Sequence, residues 1–133
     1  MLPRILIVED DQTFRETVCE ILRDVGYKVK GARTLKKATK RLKKHQFDLV
    51  LTDMHIGDDS GFQVIEVAQH KRPDAKIVMM SSLADPEVIH QGLESGAARF
   101  IAKPFRVVEL LQTVEDLLGK TEESSEDPLD AIV

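Results

Sequence analysis

The chain has 133 residues, 42% of them hydrophobic, and its 19 lysines and arginines against 23 aspartates and glutamates leave a formal net charge of −4. That length supports one globular domain with its own core, and the acidic balance excludes a general attraction to nucleic acid or to an anionic membrane. Cys19 is the one cysteine, MLPRILIVED lacks both parts of a signal peptide, and no apolar run nears the roughly 20 residues of a membrane span, so the expectation is a soluble, reduced, cytoplasmic protein.

In chain order, Ile5–Val8 is a continuous apolar run, the pattern of a strand buried on both faces of a parallel sheet. Phe14, Val18, Ile21, Leu22 and Val25 recur at helical spacing, with Gly26 as the stop. Cys19 falls off that stripe and is expected to be a structurally minor thiol. Tyr27–Ala32 alternates Lys28 and Lys30 with Val29, as edge strands do to discourage foreign pairing. Leu35, Ala38 and Leu42 mark a second helix with Thr34 as its N-cap, and Leu49–Leu51 is the next continuous run. A weaker helical pattern covers Phe62 to His70, followed by the run Ile77–Met80. Asp85 as cap and Pro86 at the first helical position open a helix that ends before Gly96. Phe100–Ala102 is the fifth strand, and Val108, Leu111, Val114 and Leu118 mark a last helix stopped by Gly119. Residues 1–120 thus form one domain, while 121–133, TEESSEDPLDAIV, carry five acids and no base and are expected to be a flexible tail or the start of a linker.

Strand and helix alternate five times, which predicts a doubly wound α/β fold with helices on both faces of a parallel sheet. In such a sheet all carboxyl ends share one edge, and ligands bind there. The residues at those ends are Glu9, Asp10 and Asp11 after the first strand, Asp53 after the third, Ser81 and Ser82 after the fourth, and Lys103 with Pro104 after the fifth. Several carboxylates at one point repel one another, so a cation must sit among them. Mg²⁺ prefers a few carboxylates, waters and a phosphate oxygen. A carboxylate nucleophile that accepts a phosphoryl group then follows, with the protein positioning the reactants and neutralising charge. Adjacent strands lie about 4.8 Å apart, so the fifth is roughly 10 Å from the third, and an arm as long as lysine is needed to reach back.

These segments, ILIVEDD, DLVLTDMHIGDDSG, IVMMSS and RFIAKPF, stand in the order and spacing of a known family. Over residues 4–119 the chain resembles the CheY-like receiver domain of two-component response regulators. The resemblance implies a flavodoxin-like five-stranded parallel sheet of order 2-1-3-4-5 with five helices. It implies Asp53 as phosphoacceptor, Asp10 as a direct Mg²⁺ ligand, Glu9 as a ligand through water and His55 as one through its backbone carbonyl. Lys103 would pair with the phosphate, Ser81 would turn its hydroxyl towards it, and Phe100 would change rotamer as the switch flips. The phosphoryl donor would be a sensor histidine kinase, a phosphotransfer protein or a small acyl phosphate. Readout would fall on the fourth helix, fifth strand and fifth helix, towards a downstream protein or an output domain. Gly57 departs from the pattern, since the family usually has proline there, which bears on loop stiffness.

Other residues have plainer readings. Asp11 suits a helix-start acid near the positive dipole end better than a metal ligand. The basic second helix, with Lys36, Lys37, Lys40, Arg41, Lys43 and Lys44, suits a solvated face, with a docking surface for an acidic partner, or as a weaker choice nucleic acid, as the alternative. His45, His70 and His90 share no metal-site spacing. The main reading is therefore a signalling switch that modifies itself and slowly loses its phosphoryl group, not an enzyme with an outside substrate. One rival is a receiver that docks partners unphosphorylated. Another is a phosphatase or nucleotide-binding enzyme, which the lack of a GxxxxGK[ST] or GxGxxG loop after the first strand opposes.

Overall fold

The computed structural model describes residues 2–83 and 85–119; the expected acidic tail, 121–133, lies outside the described residues. Its elements are β1 (Arg4–Val8), α1 (Gln12–Asp24), β2 (Lys28–Ala32), α2 (Leu35–Lys44), β3 (Leu49–Asp53), β4 (His55–Ile56), β5 (Asp59–Ser60), α3 (Gly61–Lys71), β6 (Lys76–Ser81), α4 (Pro86–Glu94), β7 (Arg99–Ala102) and α5 (Val107–Leu118). Five strands form one parallel sheet of order β2-β1-β3-β6-β7. Counting these five alone, the order is the expected 2-1-3-4-5. The sequence reading did not foresee the antiparallel ribbon β4–β5, in which His55 pairs with Ser60 and Ile56 with Asp59.

Pleating explains the two-sided core, because successive side chains of a strand point to opposite faces. Ile5, Ile7, Leu49, Leu51, Val78 and Met80 pack with Val18 and Leu22 of α1 and with Leu110 and Val114 of α5. Leu6, Val8, Val50, Ile77 and Met79 pack on the other face with Ala38 and Leu42 of α2 and with Ile65 and Ala68 of α3. Burying both faces in this way is what a continuous apolar run is for.

Helix starts follow local chemistry. Oxygens of Asp11, Thr34, Ser60 and Asp85 accept hydrogen bonds from the backbone N–H groups of Phe14, Lys37, Phe62 and Val88, at 2.9–3.0 Å. Each satisfies a donor that has no partner within its helix. Asp11 is therefore the helix-start acid that was expected.

Two sequence expectations are corrected here. Cys19 lies in the core at 4% exposure, beside Val18 and Leu22, rather than off the packing face. Burial also pushes its thiol above the ordinary value. The second concerns the start of the α5 stripe. Leu110, Thr113 and Val114 are buried, whereas Val108 is 56% exposed. Val114 of the expected row is buried, and Leu111 and Leu118 pack partly buried against the same core, so Val108 alone leaves the row and Leu110 is buried in addition.

At the sheet edge, the exposed Lys28 and Lys30 are joined by a device the sequence did not show. The Val29 and Gly31 carbonyls of β2 accept hydrogen bonds from Arg23 Nη2 at 2.8 Å and Arg41 Nε at 2.9 Å. Occupied carbonyls and lysines together blunt the open edge. Arg41 is thus a structural residue, while the lysines of α2 are exposed as expected.

Candidate functional site

The register sets the site. Val8 pairs with Thr52 and Asp53 pairs with Met80, so the ends of β1, β3 and β6 lie side by side. Carboxylate oxygens of Glu9, Asp10 and Asp53 all lie within 4.8 Å of one another. Lys103, two strands away, reaches back as its length requires. Its Nζ donates to Asp53 Oδ2 at 2.7 Å and to Glu9 Oε1. The same ammonium sits 4.3 Å from the centre of the Phe14 ring, a cation–π contact. Phe14 in turn meets Phe105 edge to face at 5.6 Å. The Lys103–Pro104 peptide is cis, and the Lys103 N–H donates to the Ser81 carbonyl at 2.9 Å.

The backbone nearby orients the carboxylates. The His55 N–H donates to Asp53 Oδ1 at 3.2 Å, the Gly57 N–H to Asp10 Oδ2 at 3.1 Å and the Asp11 N–H to Glu9 Oε2 at 3.1 Å. Arg15 Nη1 donates to the Glu9 carbonyl at 2.8 Å. Helix α3 starts hard against β3. The Gly61 N–H donates to the Met54 carbonyl at 2.7 Å, and a Cβ added to Gly61 would lie 2.4 Å from the Asp53 carbonyl oxygen.

Protonation follows from this crowding. Burial raises the Glu9 carboxyl to about 7 against the lowering pull of Lys103, and the charge of Asp53 adds to the rise. For Asp10 burial is the largest influence, but hydrogen bonds with Glu9 and the Gly57 N–H outweigh it and hold the group below its ordinary value. Burial likewise works against the charge of Lys103, yet its bonds to Asp53 and Glu9 keep the ammonium above its usual value. Three carboxylates with one amine leave an all-oxygen cluster that a hard divalent cation fits, the coordination such ions prefer.

The structure brings Glu9, Asp10, Asp53 and Lys103 together. His55 is placed beside them through its backbone. Ser81 is buried at the end of β6, and its Oγ accepts from the Leu83 N–H at 2.9 Å, which leaves the hydroxyl proton free to donate elsewhere. Phe100 stands in β7, half-buried under α4, where a Cβ on Gly92 would come 3.4 Å from its ring.

Three contributors escaped the sequence reading. Phe14 looked like one more core residue of α1. Gly61 is the last letter of the segment DLVLTDMHIGDDSG, with nothing in the sequence to mark its closeness to Asp53. Gly57, a departure from the family's pattern, adopts φ +60 and supplies the N–H that holds Asp10. Proline could do neither, since its φ is fixed near −65° and it has no N–H. The usable signal was the glycine itself, which marks left-handed backbone or a close approach.

The model of the response regulator receiver domain family matches residues 5–115. Among curated proteins, the chain is similar to the two-component response regulator ARR12 of Arabidopsis thaliana, at 34% identity over 109 residues, 80% of this chain and 18% of that one. Among solved structures, it is similar to a CheY-like response regulator receiver domain protein of Methanospirillum hungatei, with a TM-score of 0.84 and 32% identity over 95% of this chain and 99% of that one. It also matches a Burkholderia pseudomallei response regulator solved with a phosphorylated aspartic acid, a calcium ion and citrate. There the TM-score is 0.79 and the identity 28%, over 98% of this chain and 74% of that one. The chain spans between 18% and 53% of the length of the curated relatives it matches first. None of its described helices is long and apolar enough to cross a membrane. With the fold, the acidic rim and the match over most of its length in agreement, the chain belongs to the response regulator receiver domain family of two-component signalling.

Proposed function

We propose that Asp53 accepts a phosphoryl group from the phosphohistidine of a sensor histidine kinase or phosphotransfer protein, or from a small acyl phosphate, with Mg²⁺ as the required ion. The observation that carries this reading is the meeting of Glu9, Asp10 and Asp53 within 4.8 Å, with the Lys103 ammonium bound to two of them. The Burkholderia pseudomallei relative, solved with a phosphorylated aspartic acid and a calcium ion, supports it.

In the transfer, a carboxylate oxygen of Asp53 attacks phosphorus. The P–N bond of the donor breaks, and its electron pair stays on the imidazole nitrogen. The His55 N–H fixes the orientation of the Asp53 carboxylate. Lys103, already at hydrogen-bond distance, turns from the carboxylate to a phosphoryl oxygen. The Ser81 hydroxyl donates to another once it leaves the Leu83 N–H. Asp10 and Asp53 would hold Mg²⁺ directly, Glu9 through water and His55 through its backbone carbonyl. When bound, the ion would offset the charge gathered on carboxylates and phosphoryl oxygens.

The phosphoryl group adds roughly −1.5 to −2 of charge, by analogy with other phosphorylated side chains. That is enough to bias a two-state element, here Phe100 and the surface of α4, β7 and α5, towards a downstream protein or an output domain. Slow hydrolysis of the phosphoaspartate resets the switch, so no outside substrate is turned over. The domain that does this spans residues 1–120.

Incubation with acetyl phosphate and Mg²⁺, followed by mass spectrometry, tests the reading. One phosphoryl group on the wild type and none on Asp53→Asn is expected. Equal labelling of both would overturn the assignment, and partner binding unchanged by Asp53→Asn would favour a docking module that works unphosphorylated.

A further inference from the structure

At the amino ends of the strands, opposite the acidic rim, lies a cavity of about 550 Å³. Arg4, Arg23, Lys28 and Lys30 line it with positive charge, over a floor of Tyr27, Val29 and Phe47. Lys44 and Arg41 of α2 add to the same field, as their influence on His45 at its wall shows. Asp48 is committed to the Arg4 N–H at 2.8 Å, and Glu115 faces Tyr27. In a chain of net charge −4, such a concentration of cations is uneven, and nothing in the phosphoryl chemistry at the other edge uses it.

The end of α5 lies against this cavity. The Tyr27 hydroxyl is 3.5 Å from the Gly119 carbonyl oxygen, and Leu118 lines a neighbouring depression together with Arg4. The sequence beyond Gly119 carries Glu122, Glu123, Glu126, Asp127 and Asp130, with no base after Lys120. At about 3.3 Å per residue, Glu122 and Glu123 have about 10 Å of reach from Gly119 and Asp130 about 35 Å.

We propose that the acidic segment 121–130 binds back onto this basic cavity of the same molecule, with its carboxylates among Arg4, Lys28 and Lys30. Two observations support it independently, the complementary charge and the exit of the chain beside Tyr27. An intramolecular acid also faces little competition, because a short connection gives it a millimolar effective concentration. The surface is then closed to other anions until salt or an acidic competitor displaces the segment.

His45 is the reporter. Burial, followed by the charges of Lys30, Lys44, Arg4 and Arg41, holds its imidazole below the ordinary value, and carboxylates arriving among those cations favour the imidazolium and raise it. The test compares the full chain with the full chain carrying Glu122→Gln, Glu123→Gln, Glu126→Gln and Asp127→Asn, by NMR at low salt. The amide signals of Lys28, Val29 and Lys30 should differ between the two and coincide at high salt, while those around Asp53 stay unchanged. The His45 midpoint should fall by about 0.5 pH unit in the variant, the size expected for two or three screened charges, at every protein concentration. Identical spectra and midpoints at low salt would overturn the proposal. A difference that grows with protein concentration would assign the contact to a second copy and overturn it as intramolecular. So would a DNA oligonucleotide that moves the same amides equally in both proteins.

Discussion

The two ends of one sheet differ in sign and in solvent. At the carboxyl ends, Glu9 is 1% exposed and shares a cluster with Asp10 and Asp53, relieved by one ammonium. At the amino ends, Lys28 and Lys30 stand in water around an open cavity. A parallel register makes such poles possible, because it brings together residues as distant in sequence as Glu9 and Lys103, 94 positions apart. Water makes them unequal. Exposed cations repel weakly and are screened by salt, whereas buried carboxylates must share protons or bind a cation. The acidic pole therefore suits a hard divalent cation, as the proposed phosphoryl transfer requires, and its buried Glu9 should make the stability of the fold depend on pH.

The largest expected effect tests that inequality. Glu9 titrates near 7 when folded, against 4.5 as its ordinary value. Between these limits the folded chain holds a proton that the unfolded chain has lost, so unfolding free energy falls as pH rises through the window and levels off above about 7. The loss is on the order of 3 kcal/mol. Lys103 stays protonated in both states across the window, and Asp10, held below its ordinary 3.8, acts at lower pH. Urea unfolding of metal-free protein from pH 4.5 to 7.5 should show the slope, and Glu9→Gln should flatten it. A flat wild-type profile would erase the proposed contrast.

A smaller effect sharpens the geometry. In Gly61→Ala the new Cβ would meet the Asp53 carbonyl oxygen at 2.4 Å, and backbone cannot yield as a side chain does. A cost of about 1–3 kcal/mol in urea unfolding is expected, together with slower labelling of Asp53 by acetyl phosphate. The smallest effect belongs to the other pole. Lys30→Ala, at an exposed position, should change unfolding free energy by less than about 0.5 kcal/mol and leave labelling of Asp53 unaltered.

Much of this was legible because the signals were redundant. Runs such as Ile5–Val8 and Ile77–Met80 admit few readings between turn residues, and the chemistry-bearing residues follow them directly. The structure extends β3 to Asp53 itself, so the proposed acceptor is the last residue of its strand. The misses share a cause: each depended on which neighbour was available, which one sequence does not carry. Cys19 is one position from Val18 and three from Leu22, and a thiol small and apolar enough for the core is drawn in between them. In α5, only the neighbouring surface decides that Leu110 is buried and Val108 is not. Arg23 and Arg41 resemble any other surface cations until the open carbonyls of β2 lie beside them. Gly57 was visible as a glycine, but its bond to Asp10 spans 47 positions.

The central claim, that the carboxylates at the rim jointly hold one divalent ion next to the phosphoryl acceptor, is tested most directly by titrating the metal-free chain with Mg²⁺ and following its amide signals. The account predicts a single saturable site, with the signals of Asp10, Asp53, Met54 and Gly57 moving together and binding greatly weakened in Asp10→Asn. If those signals stay in place at saturating Mg²⁺, or if Asp10→Asn binds as tightly as the wild type, the account is contradicted.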